Sequence, residues 1–309
     1  MSSVQYLGID VGGTNVKMGI VDAETGKISN FYSHDTASWR SSGHFVERFA
    51  DAIALQFLAN KDIKKVGIGL PGMINRDRTT PLEITAIPEL DNVPLVDILS
   101  KRFSGVQFFL ENDANAAALG EFYFVEDNTD ENYIFITLGT GVGGAAIINK
   151  KIFVGGDGNA MEPGHIPSRN GRVLERNIGK KELLDLANER RKGYIGSTQL
   201  PDDGSISTTG LVAAAAANDE LALQIWAEVG EMLGEGLVSL IRILDIKHVL
   251  IGGGLSASFD YIMPAVQQAL DYWLTPYYKK DLTIKRATLG NDAGLLGAAS
   301  LCTPLSLPT

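Results

Sequence analysis

Two segments of this sequence share one pattern, in which a short apolar strand runs into a glycine-rich turn and the chain returns as a second strand. The first turn covers residues 10–15 (DVGGTN) and the second covers residues 139–144 (GTGVGG). Glycines allow backbone N–H groups to approach an anion closely, so both turns are candidate phosphate loops. The repeat predicts two α/β halves with the two loops facing each other across a cleft. Because glycine-rich hairpins are common, two ordinary tight turns are the alternative.

A third signal is the step from a strand to a helix at Asn112 and Asp113. Strand-forming residues 106–110 precede this pair, and a run of alanines follows it. In open α/β sheets, ligands bind just beyond the carboxyl ends of strands, and a helix N-terminus favours an ionised carboxylate. Asp113 is therefore a candidate general base, and a plain helix N-cap is the alternative.

The rest of the chain alternates predicted strands and helices, which indicates an α/β protein. The predicted strands cover residues 5–9, 16–21, 65–70, 106–110, 133–138, 145–148, 249–251 and 283–286. The predicted helices cover residues 43–58, 94–102, 180–190, 209–217, 219–244, 259–274 and 291–301, besides the one that begins at the Asn-Asp pair. Residues 75–88 are predicted to be irregular. Glycines 252–254 lie between a strand and a helix and are a third candidate nucleotide contact.

Composition bears on the partners and the compartment of this protein. The net charge is -10 and no block of Lys and Arg stands out, so nucleic acid and anionic membranes are poor partners. The N-terminal residues show neither a signal peptide nor a membrane span. The single cysteine, Cys302, excludes an intrachain disulfide and fits a reducing compartment. We expect a cytoplasmic protein.

A series of motifs, taken together and in order, resembles the sugar kinases of the ROK family (repressor, open reading frame, kinase). The motifs are DVGGTN at residues 10–15, GIGLPG at 67–72, ENDANA at 111–116, LGTGVGG at 138–144, EPGH at 162–165, GGG at 252–254 and GLLGA at 294–298. The resemblance covers nearly the whole chain. It implies a two-domain actin-like or ribonuclease H-like α/β fold with a cleft between the domains. The expected domains are residues 1–115, joined by the C-terminal helix 291–303, and residues 116–290.

The resemblance also implies the reaction and its site residues. Asp113 would remove the proton from the 6-hydroxyl of a hexose, whose oxygen attacks the γ-phosphate of ATP while Mg²⁺ offsets charge. The residues implied to hold the sugar are Gly72, Asn112, Asp113, Glu162, His165 and Glu175. Those implied to contact ATP are Asp10, Gly12, Gly13, Thr14, Asn15, Lys17, Gly139, Thr140, Gly141, Gly143, Gly253 and Gly254. Asp10 would hold Mg²⁺ through water.

One segment departs from the family pattern. Family members carry a cysteine-rich zinc loop after the Gly-His pair, whereas residues 166–175 here read IPSRNGRVLE. This segment is shorter and keeps only the final glutamate, Glu175. We predict no zinc site, because a closed structural zinc site needs four ligands. The sequence leaves open how this segment is ordered without metal and whether Glu175 still reaches the sugar. Residues 87–90 also differ from the family's usual Asn-Leu-Pro stretch.

Other functions and substrates stay open at this stage. A ROK repressor would carry a DNA-binding domain before the first phosphate loop, and we do not expect one here. An ATPase of the actin or heat-shock type shares the fold, and a sugar-binding protein without activity is a further alternative. Glucose is the first candidate sugar, with N-acetylmannosamine, N-acetylglucosamine, fructose and allose as alternatives. Family kinases are often dimers, so a homodimer is also open.

Overall fold

The computed structural model describes residues 4–126 and 130–303, which form two compact units. Within these residues, the first unit contains the chain up to residue 131, residues 145–161 and the residues from 291 onward. The second unit contains residues 132–144 and 162–290. The chain therefore passes from one unit to the other four times.

The first 124 residues supply most of the first unit. Their helices and strands are β1 (Gln5–Val11), β2 (Asn15–Asp22), β3 (Ile28–Asp35), α1 (Thr36–Ser41), α2 (Phe45–Ala59), β4 (Lys65–Leu70), β5 (Met73–Ile74), β6 (Pro81–Glu83), α3 (Leu95–Arg102), β7 (Gln107–Asn112) and α4 (Asp113–Phe124). The main sheet has the strand order β3-β2-β1-β4-β7. Strands β1, β4 and β7 are parallel, and β2 and β3 join them antiparallel. Strands β5 and β6 form a separate small hairpin.

The remaining elements follow after residue 132. They are β8 (Tyr133–Leu138), β9 (Val142–Ile148), β10 (Lys151–Ile152), α5 (Glu175–Ile178), α6 (Lys180–Gly193), α7 (Thr208–Ala216), α8 (Glu220–Leu244), β11 (His248–Gly252), α9 (Phe259–Trp273), α10 (Pro276–Lys279), β12 (Thr283–Arg286) and α11 (Ala293–Ser300). The second sheet has the strand order β10-β9-β8-β11-β12, in which β8, β11 and β12 are parallel. Five strands per sheet with helices between them confirm the predicted α/β class. No helix of the described residues is both long and apolar enough to cross a membrane.

Continuous apolar runs form the central strands. In β4, the residues from Val66 to Leu70 are all buried, and in β8 only Thr137 is partly exposed. Parallel strands that are covered on both faces need such runs, and these two strands begin and end where the sequence predicts. Strand β3 and helix α1 were not predicted. Most side chains of β3 are at least partly exposed, and its polar sequence lacks the apolar alternation that marks a strand.

Helix α11 brings the end of the chain back onto the first unit through unusually close backbone contacts. A Cβ atom on Gly67 would lie 1.7 Å from the Ala298 carbonyl oxygen, and one on Gly297 would lie 1.7 Å from the Ala116 carbonyl oxygen. Helix α4 is buried along most of its length and is rich in alanine, which lets α11 approach it. The expected domain boundary after residue 115 lies inside α4. Because the whole helix packs with α11, all of α4 groups with the first unit.

We expect Gly297→Ala to lower the midpoint of thermal unfolding, because the new methyl group would overlap the Ala116 carbonyl oxygen. Overpacking of a tight contact costs about 1–3 kcal/mol of the free energy of unfolding. Circular dichroism during heating measures the change. Gly156→Ala is the control, since no atom of the described structure lies within 4 Å of a Cβ atom at that position in the same unit. Equal midpoints for the two variants would contradict this account of the contact.

Candidate functional site

The candidate base lies where β7 ends and α4 begins. Asn112 caps the helix, since its Oδ1 accepts hydrogen bonds from the backbone N–H groups of Ala114 at 2.9 Å and Asn115 at 3.2 Å. Asp113 is the first residue of the helix, is partly buried, and accepts from the Ala114 N–H at 2.8 Å. The cap and the candidate base are therefore neighbouring residues with different roles, so the two sequence alternatives are compatible.

A buried carboxylate lies directly behind this junction. Glu111 accepts hydrogen bonds at Oε1 from the Asn112 N–H at 2.8 Å and from Asn115 Nδ2 at 3.0 Å. Its Oε2 lies 3.2 Å from Arg78 Nε, and the two side chains are only 2% and 12% exposed. Burial raises the pKa of Glu111, while Arg78 and the two hydrogen bonds oppose this rise. Arg78 also donates to the Gly158 carbonyl oxygen at 2.6 Å.

Gly72 lies beside the same junction. Its φ is 88°, and a Cβ atom there would lie 2.2 Å from the Glu83 carbonyl oxygen. Its own carbonyl oxygen accepts a hydrogen bond of 3.2 Å from Asn112 Nδ2. A side chain at position 72 would thus disturb the end of the β5–β6 hairpin, to which Glu83 belongs.

Asp10 lies near the end of β1 and faces the start of α11. Lys17 Nζ lies 3.5 Å from Asp10 Oδ2 and donates to the Asn291 carbonyl oxygen at 3.2 Å. A Cβ atom on Gly294 would lie 2.7 Å from the Asp10 carboxyl carbon, so the carboxylate packs on the first turn of the helix. Burial raises the pKa of Asp10, and the Lys17 ammonium partly offsets the rise.

The first glycine-rich turn is an exposed hairpin tip that a buried threonine holds in place. The Gly12 N–H donates to the Asn15 carbonyl oxygen at 2.9 Å, which closes the turn. Thr36 is fully buried, and its Oγ1 donates to the Gly12 carbonyl oxygen at 2.7 Å. Its N–H donates to the Thr14 carbonyl oxygen at 2.9 Å. Gly13 and Thr14 remain exposed at the tip, where a phosphate group could approach their backbone.

In the second unit, the other glycine-rich hairpin contacts the segment that carries the predicted sugar residues. A Cβ atom on Gly164 would lie 2.2 Å from the Val142 carbonyl oxygen, and one on Gly144 would lie 2.6 Å from Pro163 Cγ. The short 3-10 turn Pro163–His165 therefore packs directly on the strand that leaves the glycine loop. Thr140 and His165 are exposed, so both are accessible to ligands.

Glu175 joins the two segments. Its Oε2 accepts a hydrogen bond of 3.0 Å from the Val142 N–H, and a Cβ atom on Gly141 would lie 2.1 Å from the same oxygen. Glu175 and His165 also act electrostatically on Glu162: burial raises the pKa of Glu162, His165 lowers it and Glu175 raises it further. The structure thus brings Glu162, His165 and Glu175 together beside the glycine loop.

The third glycine-rich segment lies next to the second. Gly253 has a φ of 87°, and a Cβ atom there would lie 2.3 Å from the Leu138 carbonyl oxygen. The Leu255 N–H donates to that oxygen at 2.9 Å, so the turn after β11 packs on the end of β8. Gly139 and Gly254 have no atom of the described structure within 4 Å of a Cβ position, which leaves open space beside the backbone for a ligand.

Four residues near these loops carry contacts that the sequence analysis did not assign. The sequence carries a signal for the helix that begins at Thr36, because Asp35 caps α1 by accepting a hydrogen bond from the Ser38 N–H. Glu111 directly follows the apolar residues 108–110 of β7, and a carboxylate at that position is a signal of a polar role. Arg78 and Asn115 have no comparable signal, because their partners are set by tertiary contacts. Among residues 4–126 and 130–303, no three His, Cys, Asp or Glu side chains form a group that could hold a metal ion. The absence of zinc stays a prediction.

A known protein family matches this chain over nearly its whole length. The model of the ROK family matches residues 6–304. This chain belongs to the ROK family. Among its ROK relatives, the glucokinase of Thermotoga maritima is 31% identical over 97% of this chain and 98% of its own length. The N-acetyl-D-glucosamine kinase of Histophilus somni is 30% identical over 96% of this chain and 98% of its own.

Solved structures agree with this family assignment. A protein from Cytophaga hutchinsonii is 41% identical, with a TM-score of 0.91 over 96% of this chain and 99% of its own. The ROK family glucokinase from Streptomyces griseus, solved with glucose and AMPPNP, is 30% identical with a TM-score of 0.80 over 96% of this chain and 99% of its own. The fold is therefore the two-domain actin-like, ribonuclease H-like fold of ROK sugar kinases, as expected.

We expect Arg78→Met to destabilise the protein by about 3–5 kcal/mol, because it leaves the Glu111 carboxylate buried without its counter-charge. Since burial raises the pKa of Glu111, the carboxyl takes up a proton more readily in the folded state. The loss of stability should therefore be smaller near about pH 5 than near about pH 8. Urea unfolding at both pH values measures this difference.

Arg40→Met is the matched control for this prediction. Arg40 also pairs with a glutamate, Glu89, through its Nε at 3.0 Å, but these side chains are 39% and 33% exposed. An exposed pair contributes at most about 1 kcal/mol. If Arg78→Met were no more destabilising than Arg40→Met, the buried pair would not support the junction as described.

Proposed function

We propose that this protein is a sugar kinase that transfers the γ-phosphoryl group of ATP to the 6-hydroxyl of a hexose, with glucose as the first candidate. The observation that carries this proposal is the β7–α4 junction, where Asp113 follows the capping Asn112 and a buried ion pair supports both. Membership of the ROK family supports the reaction class. The Thermotoga maritima and Streptomyces griseus glucokinases support glucose as the sugar.

Asp113 is the proposed general base. Its place in the first turn of α4 favours the ionised form, which can accept the hydroxyl proton at neutral pH. Asn112 has less freedom, because its Oδ1 already accepts two backbone hydrogen bonds and one N–H of its amide is bonded to Gly72. The second N–H of the amide remains to donate to a sugar oxygen. This arrangement lets Asn112 orient the hydroxyl group while Asp113 removes its proton.

The glycine-rich turns and Asp10 are the proposed contacts of ATP and Mg²⁺. Mg²⁺ in phosphoryl transfer usually takes one or two carboxylates and completes its shell with phosphate oxygens and water, so the single, partly exposed carboxylate of Asp10 fits that donor set. When bound, Mg²⁺ would offset the negative charge of the phosphates. Lys17 holds the Asp10 carboxylate in place, and the exposed tip at Gly13 and Thr14 offers backbone N–H groups to phosphate oxygens.

Glu162, His165 and Glu175 are the proposed sugar ligands of the second unit. Glu175 Oε2 already accepts a hydrogen bond from the Val142 N–H. Only Oε1 and the remaining lone pair of Oε2 can therefore accept from a sugar hydroxyl. His165 is exposed and can donate or accept according to its tautomer. Carboxylates and an imidazole together suit a polyol, whose hydroxyl groups both donate and accept hydrogen bonds.

N-acetylglucosamine is the second candidate sugar, and the Histophilus somni relative supports it. The two sugars differ at carbon 2, where an N-acetyl group replaces a hydroxyl group. A panel of glucose, N-acetylglucosamine, N-acetylmannosamine, fructose and allose with ATP and Mg²⁺, followed by ADP release, tests the proposal. ADP release at the same slow rate with every sugar and with none would reject the sugar kinase.

We expect Asp113→Asn to lower kcat by roughly 10²–10⁴-fold with little change in the KM for the sugar, because the variant keeps the shape of the side chain and loses the base. Steady-state kinetics with the best sugar of the panel measure both constants. Asp97→Asn is the matched control, since Asp97 is also an acidic residue in the first turn of a helix, α3. Near-normal turnover by a folded Asp113→Asn variant would end the assignment of the base.

A further inference from the structure

The segment between His165 and Glu175 is a small, well-bonded hairpin in this structure. Pro167 and Val173 form an antiparallel bridge, and the Leu174 N–H donates to the Ile166 carbonyl oxygen at 3.0 Å. The turn uses Asn170 and Gly171, with φ values of 61° and 65°, in the left-handed region that asparagine and glycine tolerate. The hairpin thus connects the two candidate sugar ligands at its ends.

An arginine at the turn fastens this hairpin to α8. Arg169 Nε and Nη2 donate to the two carboxylate oxygens of Glu235 at 2.9 Å and 2.6 Å. Its Nη1 donates to Glu231 Oε2 at 2.9 Å. Glu231 and Glu235 are one helical turn apart, so one guanidinium group spans both. The pKa of Glu231 lies below its usual value because Arg169 donates to it.

Packing and hydrogen bonds hold the other parts of the hairpin. Leu174 is buried, and a Cβ atom on Gly236 of α8 would lie 2.9 Å from its Cδ2. Asn177 of α5 donates through Nδ2 to the Arg169 carbonyl oxygen at 3.0 Å. Leu174, at the base of the hairpin, is therefore packed on α8, whereas at the tip α5 bonds to the backbone of Arg169 and the charged contacts are those of the Arg169 side chain.

We propose that Arg169 is a positioning residue for the sugar: its ion pairs with Glu231 and Glu235 hold the hairpin on α8 and so fix His165 and Glu175. This inference rests on the proposed sugar kinase function. Isolated surface ion pairs contribute little, but a bidentate arginine that joins two carboxylates is the geometry in which they contribute most. Without these ion pairs, ordering the hairpin around a bound sugar would cost conformational entropy, and this cost weakens sugar binding.

The first test measures the hairpin itself and needs no substrate. We expect Arg169→Met to speed hydrogen–deuterium exchange in peptides that cover residues 166–174. Arg190→Met is the matched control, because Arg190 makes an equally bidentate pair with Glu228 of the same helix, at 2.8 Å for both bonds, but from α6. The control should leave exchange in the hairpin unchanged. Equal exchange in the two variants would overturn the proposal.

The second test measures the sugar site. We expect Arg169→Met to raise the KM for the sugar by roughly 2- to 5-fold, because these ion pairs are partly exposed and such pairs contribute modestly, with a much smaller change in kcat. A general loss of structure would instead lower the active fraction and hence kcat. The sugar KM of the wild type should also rise with ionic strength, and that of Arg169→Met should rise less. Unchanged sugar KM in the variant would overturn the proposal.

A second variant and a comparison with wild-type activity keep both tests decisive. If Arg169→Met does not fold, Glu235→Gln removes the bidentate partner while keeping Arg169, and the same exchange and kinetic results are expected. If the wild type phosphorylates no sugar of the panel, the proposed function fails, whereas the exchange arm still reports whether Arg169 orders the hairpin. If Arg169→Met speeds exchange but the wild type phosphorylates no sugar, Arg169 orders the hairpin and its role in positioning the sugar is rejected.

Discussion

The buried Glu111 carboxylate is the constraint on which the candidate site of the first unit depends. A charge in an apolar interior is costly unless counter-charge and hydrogen bonds accompany it. Arg78, the Asn112 N–H and the Asn115 amide meet that requirement, and each fixes a different piece of chain. Through Arg78 the segment around Gly158 is also held. The position of Asp113 therefore depends on the contacts that stabilise the buried charge of Glu111.

The sequence predicts those parts of the fold that local composition determines. Strands β4 and β8 are continuous apolar runs, which only a strand buried on both faces requires, and their bounds were predicted to the residue. Strand β3 is polar and largely exposed, and it exists because β2 offers it an edge. The information that specifies β3 therefore lies in its partner strand, β2, and not in the residues of β3. Helix α1 has a local signal in its N-cap Asp35, but the burial of its first residue, Thr36, depends on the turn that Thr36 supports.

The candidate site divides in a similar way. Motifs indicated which loops matter, and the structure brings Glu162, His165 and Glu175 together beside the glycine-rich hairpin. The pairs that hold these loops join residues far apart in the chain, such as Arg169 with Glu235 and Arg78 with Glu111. A single sequence contains many arginines and glutamates, and spacing alone does not select among them. The bond from Glu175 to Val142 was missed for the same reason.

The return of α11 to the first unit has a consequence for folding during synthesis. Domains generally fold in the order in which they leave the ribosome. Here the second unit ends at residue 290, whereas the first unit lacks α11, and the backbone that covers Gly8 and Gly67, until the residues after 291 emerge. The half of the protein that is synthesised first is therefore completed last. Until then, a nascent chain carries an uncovered sheet face, which makes chaperone contact most valuable near the end of translation.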